Sequence, residues 1–167
     1  AFNVVNGRGA VGQRLIAHPQ VAKVAFTGSV PTGIDVGKAA MAANLTRATL
    51  ELGGKNAAAL LADVDVDSAV AGIVQTAYVH QGQVCASPER LYVHRSKVDE
   101  VSAKLGAALK QLKIGSALDP QAQFGPLANA AHLQKILGFF DRARASNTVV
   151  CGARAVERPG YLSLIHI

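Results

Sequence analysis

The chain has 167 residues, half of them hydrophobic and only 17% charged, which excludes a disordered, highly charged polypeptide and suits one domain or parts of two. Lys and Arg outnumber Asp and Glu by 17 to 11, a formal net charge of +6, yet the basic residues are scattered without interleaved aromatics and read as solvated faces, not a nucleic-acid surface. No apolar run is long enough for a transmembrane helix, and none follows a charged n-region as a secretory signal would, so no membrane partner is expected.

In chain order, Phe2–Val5 reads as a short strand and Val11–His18 as a helix ended by Pro19. Val24–Thr27 is a second strand, an Ala-rich helix runs from about Thr32 to Asn44, and Ala48–Leu52 is a third strand. Strands alternating with helices at this spacing predict an α/β fold with a parallel sheet. Gly53-Gly54 punctuates the chain, and the domain boundary is placed there: 1–53, then 54–161. Ala57–Leu61 begins a second α/β pattern, in which Asp65 or Asp67 caps a helix whose apolar face is Val70, Ile73, Val74, Ala77 and Tyr78. Gly82–Cys85 is a turn and Leu91–Val93 a strand. The next helix places Val98, Val101, Leu105, Ala108, Leu109 and Leu112 on one face and Lys104, Lys110 and Lys113 on the other. After the loop 115–126, a last helix carries Leu133, Ile136, Leu137 and Phe140.

Both ends read as those of a piece of a longer protein. The chain opens directly on strand-like residues with no initiator Met, its only Met being Met41. Residues 162–167 form an apolar tail with no evident partner, and one codon choice for them reproduces a transposon-end adapter of DNA library preparation; they are expected to be non-native.

Several residues could carry chemistry. Gly7-x-Gly9-x-x-Gly12 matches a dinucleotide fingerprint, but the next strand ends in Thr27-Gly28-Ser29 instead of an acid, so these glycines are read as serving a tight turn and close helix–sheet packing. Gly28-Ser29-Val30-Pro31-Thr32-Gly33 is the better phosphate candidate: it joins a strand to a helix N-terminus, where backbone N–H groups and the dipole favour an anion. An ordinary capped turn accounts for it about as well. Cys85 lies in a polar turn where a thiolate could be reached, unlike Cys151, which is read as an inert core residue. Glu51 interrupts an apolar strand end just before two glycines, where open α/β sheets bind ligands, although a solvated edge residue would look the same. The five histidines show no metal-ligand spacing, and two cysteines so far apart indicate neither a zinc site nor a disulfide framework. Their scarcity points to a reducing, cytoplasmic setting.

Taken together, Phe26-Thr27-Gly28-Ser29-x-x-x-Gly33, Leu50-Glu51-Leu52-Gly53-Gly54-Lys55-Asn56 and Gly82-Gln83-x-Cys85 resemble the three successive signatures of the NAD(P)-dependent aldehyde dehydrogenases. The interval from Glu51 to Cys85 is the family's usual one. Asn3–Gly7, Arg90, Gly125-Pro126 and Lys135 fall in family register, and the resemblance spans Ala1–Tyr161. It implies a partial aldehyde dehydrogenase fold, with part of a Rossmann-like nucleotide domain followed by part of an α/β catalytic domain. It also implies the roles. Cys85 would attack the aldehyde carbon, Glu51 would activate the water that hydrolyses the resulting thioester, and the Cys85 backbone N–H would serve the oxyanion. NAD, with NADP not excluded, would lie against Gly28, Ser29, Val30, Pro31, Thr32 and Gly33. The Leu52 carbonyl would face the nicotinamide carboxamide, and Lys135 would reach the nicotinamide ribose; His132 stands where many members have Gln. The wording of residues 28–33 and 54–59 is most similar to the phenylacetaldehyde dehydrogenase branch, implying an aromatic aldehyde, and the full-length protein would be a homo-oligomer. The isolated chain is expected to be inactive, because other family residues of the site have no counterpart in it. Three rivals stand beside this reading: another cysteine-dependent acyl-transfer or amide-hydrolysing enzyme with His80 or His94 as base, a non-catalytic remnant or binding module, and a CoA-acylating relative. Glu51 favours hydrolysis over the last.

Overall fold

The computed structural model describes residues 1–156 and the backbone of Ser163–Leu164. Contacts divide the chain into two compact units, Ala1–Gly54 and Lys55–Ile167.

The first unit runs α1 (Gly9–Ile16), β1 (Lys23–Gly28), α2 (Val30–Asn44) and β2 (Arg47–Leu52). β1 and β2 are parallel, in a register that sets Thr27 opposite Glu51 and Gly28 opposite Leu52. Parallel neighbours need a crossover, and α2 supplies it, packing on both strands. Small residues let the helix approach closely: Ala40 is fully buried beside Ile16 and Val36, with Val24, Phe26 and Leu50 packed against them. Leu45 ends α2 in a left-handed conformation (φ 50°), a place where Gly or Asn is usual. The geometry is held by Leu45 N–H donating to the Met41 carbonyl and Thr46 N–H to that of Ala40. The buried Thr46 also donates its hydroxyl to the Val21 carbonyl.

Phe2–Val5 is not a strand: the segment has no regular structure, with Phe2 91% exposed. Extended residues become a strand only when a neighbour accepts and donates along the ladder, and among the described residues none pairs with this segment. The glycine reading also needs correcting. A side chain at Gly7 would run into Val11, so that glycine is required, but nothing lies within 4 Å of a Cβ at Gly9 or Gly12. Those two do not mediate helix–sheet packing.

The second unit contains β3 (Asn56–Leu60), α3 (Val66–Ala77), β4 (Pro88–Val93), α4 (Val98–Lys110), α5 (Ala130–Ser146) and a short antiparallel pair, β5 (Arg154–Ala155) with β6 (Ser163–Leu164). Of the expected tail 162–167, only that β6 backbone is described; the rest lies outside the described residues. β3 and β4 are parallel with a bulge, Asn56 opposing Pro88 and Ala57 opposing Arg90, which leaves Glu89 as the extra residue. Val66, Val70 and Val101 form the core, with Leu60, Leu91, Val93 and Leu105 packed around them. Asp65 caps α3, accepting the Ser68 N–H at 2.8 Å. Hydrogen bonding from the Ser68 side chain, and then from that N–H, holds its carboxyl below the usual carboxylate range. Val98, expected on the buried face of α4, is the helix's first residue and lies 41% exposed. Among the described residues no helix is long and apolar enough to cross a membrane.

Candidate active site

In the first unit, Glu51, Leu52 and Gly28-Ser29-Val30-Pro31-Thr32-Gly33 come together at the carboxyl end of the parallel strand pair, the side from which α/β sheets present ligand-binding loops. The glycines there have steric jobs. A Cβ at Gly33 would sit 2.4 Å from Leu52 Cδ2, and one at Gly28 would sit 2.5 Å from Phe26 Cζ. Gly33 therefore lets the first turn of α2 close over the end of β2, and Gly28 leaves room for the Phe26 ring. Ser29 is the N-cap: its Oγ accepts the Thr32 N–H at 3.4 Å and lies 2.9 Å from Thr32 Oγ1. Pro31, in the same turn, has no N–H to offer. Ser29, Val30, Pro31 and Thr32 are all exposed, and no acidic side chain occupies this turn, so an anion meets hydroxyls and the positive end of a 15-residue helix. Glu51 is exposed at the strand end.

In the second unit, Cys85 is exposed on a turn of unusual construction. The chain leaves α3 through His80, Gln81 and Gly82, all left-handed, with φ of 50°, 60° and 72°. Only glycine adopts that region freely, so His80 and Gln81 are held there by their surroundings. Gln83 helps: its N–H and its Nε2 both donate to the His80 carbonyl, and Nε2 also donates to Gln81 Oε1. Downstream, Ser87 N–H donates to the Val84 carbonyl, while the Ser87 hydroxyl, buried at 3% exposure, donates to the Thr76 carbonyl of α3. From β3, Asn56 Nδ2 donates to the carbonyls of both Cys85 and Ser87. Arg90 donates to the Lys55 carbonyl, and Lys55 Nζ meets Glu89 at 2.6 Å.

No hydrogen bond joins Cys85 to His80 or His94 among the described residues; the His94 ring is engaged with Ser96. Lys135 is exposed on α5, and His132 gives its N–H to the cap residue Asn129. Cys151, expected in the core, is only partly buried. Among the described residues no group of three or more His, Cys, Asp and Glu side chains could hold a metal ion. Sequence reasoning missed the roles of Asn56, Ser87 and Asn129. An Asn at the head of the otherwise apolar run Ala57–Leu61 was the one available signal for the first, since asparagine is disfavoured in strands.

The model of the aldehyde dehydrogenase family matches residues 1–163. Betaine aldehyde dehydrogenase from Cereibacter sphaeroides is 40% identical over 160 residues, which is 95% of this chain and 33% of that protein. Among solved structures, lactaldehyde dehydrogenase from Escherichia coli superposes with a TM-score of 0.90 at 39% identity, covering 97% of this chain and 34% of the other. Betaine aldehyde dehydrogenase from Staphylococcus aureus, solved in complex with NAD+, gives 0.88 at 33% identity, covering 96% and 33%. The chain thus spans about a third of the length of the curated relatives it matches, and its architecture is a partial version of the fold these structures share.

Proposed function

The chain belongs to the aldehyde dehydrogenase family, and from that premise we propose that it is part of an enzyme that oxidises an aldehyde to a carboxylic acid with NAD(P)+. Cys85 is the nucleophile. As thiolate it adds to the aldehyde carbon, and its own backbone N–H donates to the oxyanion of the thiohemiacetal. Loss of hydride from that carbon leaves a thioester on the Cys85 sulfur. Glu51 then takes a proton from water, which adds to the thioester carbonyl and releases the acid and the free thiol. NAD(P)+, when bound, supplies the hydride acceptor. The residues suited to hold it are Ser29 and Thr32 with the first turn of α2 for the pyrophosphate, the Leu52 carbonyl for the carboxamide and Lys135 for the ribose. The exposed, acid-free turn of α2 fits an anionic group of this kind.

The observation that carries this reading is a solvent-exposed thiol on a turn fixed by long-range hydrogen bonds. A core cysteine needs neither property. An aromatic aldehyde, as in the phenylacetaldehyde branch, a homo-oligomeric full-length protein and a cytoplasmic setting with reduced cysteines complete the proposal. Glu51 supports release by water over transfer to CoA.

Two preparations test it. The full-length protein should form NADH from phenylacetaldehyde, and Cys85→Ser should lower that rate by about a thousandfold or more. The isolated 167-residue chain should be inactive. An undiminished rate in Cys85→Ser would end the proposal.

A further inference from the structure

Three side chains tie the head of β3 to β4 or to the turn before it, and they differ in what they grip. Lys55 meets only the Glu89 carboxylate, an exposed pair, and Arg90 holds the Lys55 carbonyl. Asn56 alone reaches the turn itself. Its Nδ2 has two hydrogens, and it has two acceptors: the carbonyl of Cys85 and, at 3.1 Å, the carbonyl of Ser87. The Cys85 carbonyl belongs to the peptide plane that follows its Cα, so fixing it fixes ψ of Cys85 and with it the direction of the Cα–Cβ bond. The β-bulge falls at the same place, between Asn56 and Ala57, and bends the head of the ladder where Asn56 meets the turn. On the other side, the buried Ser87 hydroxyl ties the turn to the Thr76 carbonyl of α3. With His80 and Gln81 left-handed upstream, the turn has no regular secondary structure of its own to keep it in place.

We propose that Asn56 is the positioning residue of Cys85: an amide clamp that aims the thiol by holding the carbonyls on either side of Ala86. The claim for catalysis rests on the dehydrogenase reading above; the claim for the clamp does not. Asparagine is specific here because both interactions need a donor. Aspartate would set a carboxylate against two carbonyl oxygens, whereas serine has one hydroxyl hydrogen for two acceptors.

Hydrogen exchange and steady-state kinetics, both in the full-length protein, test the two claims separately. For Asn56→Asp, exchange of the buried Ser87 amide, which donates to the Val84 carbonyl, should rise about tenfold while amides of α4 stay unchanged. In the full-length protein the same change should lower kcat about tenfold to a hundredfold, with the KM for NAD+ within about twofold of the wild type. Asn56→Ser should fall between Asn56→Asp and wild type in both readouts, and it serves if the aspartate variant fails to fold. Unchanged exchange at the turn in Asn56→Ser and Asn56→Asp would overturn the clamp. An unchanged kcat alongside raised exchange would overturn the positioning role. Raised exchange in a full-length protein with no Cys85-dependent aldehyde oxidation would uphold the clamp and overturn the dehydrogenase reading instead.

Discussion

The turn at Ser29 and the turn at Cys85 are built on opposite principles. Ser29 is held by its own neighbours: its hydroxyl meets the N–H and Oγ1 of Thr32 three residues on, and Gly33 N–H donates back to the Ser29 carbonyl. That turn would form wherever α2 forms. The Cys85 turn is held from outside, by Asn56, 29 residues upstream, and by the tie from Ser87 to Thr76, 11 residues apart. A locally built turn can accept a flexible ligand without depending on the rest of the unit. The sulfur proposed to react needs a fixed direction, which a turn with left-handed residues at 80–82 cannot set by itself.

The comparison can be pressed first at Gly33, where α2 packs on the end of β2. Gly33→Ala would put a methyl 2.4 Å from Leu52 Cδ2, and Leu52 must move or α2 must lift. A loss of about 1–3 kcal/mol in urea unfolding is expected. Gly37→Ala, whose Cβ would make an ordinary 3.5 Å contact with Leu50, should be neutral or gain up to about 1 kcal/mol from helix propensity. Equal effects at the two glycines would remove the steric account.

Two serines test the comparison itself. Ser87→Ala removes a buried hydroxyl and leaves the Thr76 carbonyl without that donor, for a cost of about 1–3 kcal/mol. Ser29→Ala removes an exposed cap joined by a long 3.4 Å bond and should cost about 0.5–1 kcal/mol. Matched unfolding curves decide it. If Ser29→Ala costs as much as Ser87→Ala, the distinction between a local and an imposed turn fails.

A smaller effect appears at high pH. Burial pushes the Tyr78 hydroxyl up to about 12, and the Cys151 thiolate adds to the shift. The folded state therefore holds this proton more tightly than the unfolded chain does. The contribution is complete below pH 10, the ordinary tyrosine value, and is lost as pH rises through about 12. Tyr78→Phe should lower the pH dependence of stability in that window by at most about 2 kcal/mol, read from unfolding midpoints at pH 9 and about 11.5. An identical slope in the variant would show that the hydroxyl ionises freely.

What could be read from the sequence follows the same division. The helices α2 and α3, with the Asp65 cap, and strands β1 to β4 rest on short-range patterns, and the structure contains them. Ser29 is legible as a cap or a phosphate donor; the structure contains the cap and leaves the residue exposed. Phe2–Val5 was misread because β-propensity says nothing about a missing ladder neighbour. The left-handed Leu45, His80 and Gln81 carry no composition signal, since glycine or asparagine would be the usual choice. Asn56 appeared only as a motif letter: a hydrogen bond spanning about thirty residues leaves no periodicity to detect.

The central claim is a covalent acyl group on one sulfur, cleared by one carboxylate. Its most direct test is intact-protein and peptide mass spectrometry of the full-length Glu51→Gln variant mixed with phenylacetaldehyde and NAD+. The account predicts NADH equal to about one per active site, with a phenylacetyl adduct on the peptide containing Cys85 that decays about a hundredfold more slowly than turnover of the wild type. An adduct on Cys151, or full turnover with no adduct at all, would contradict it.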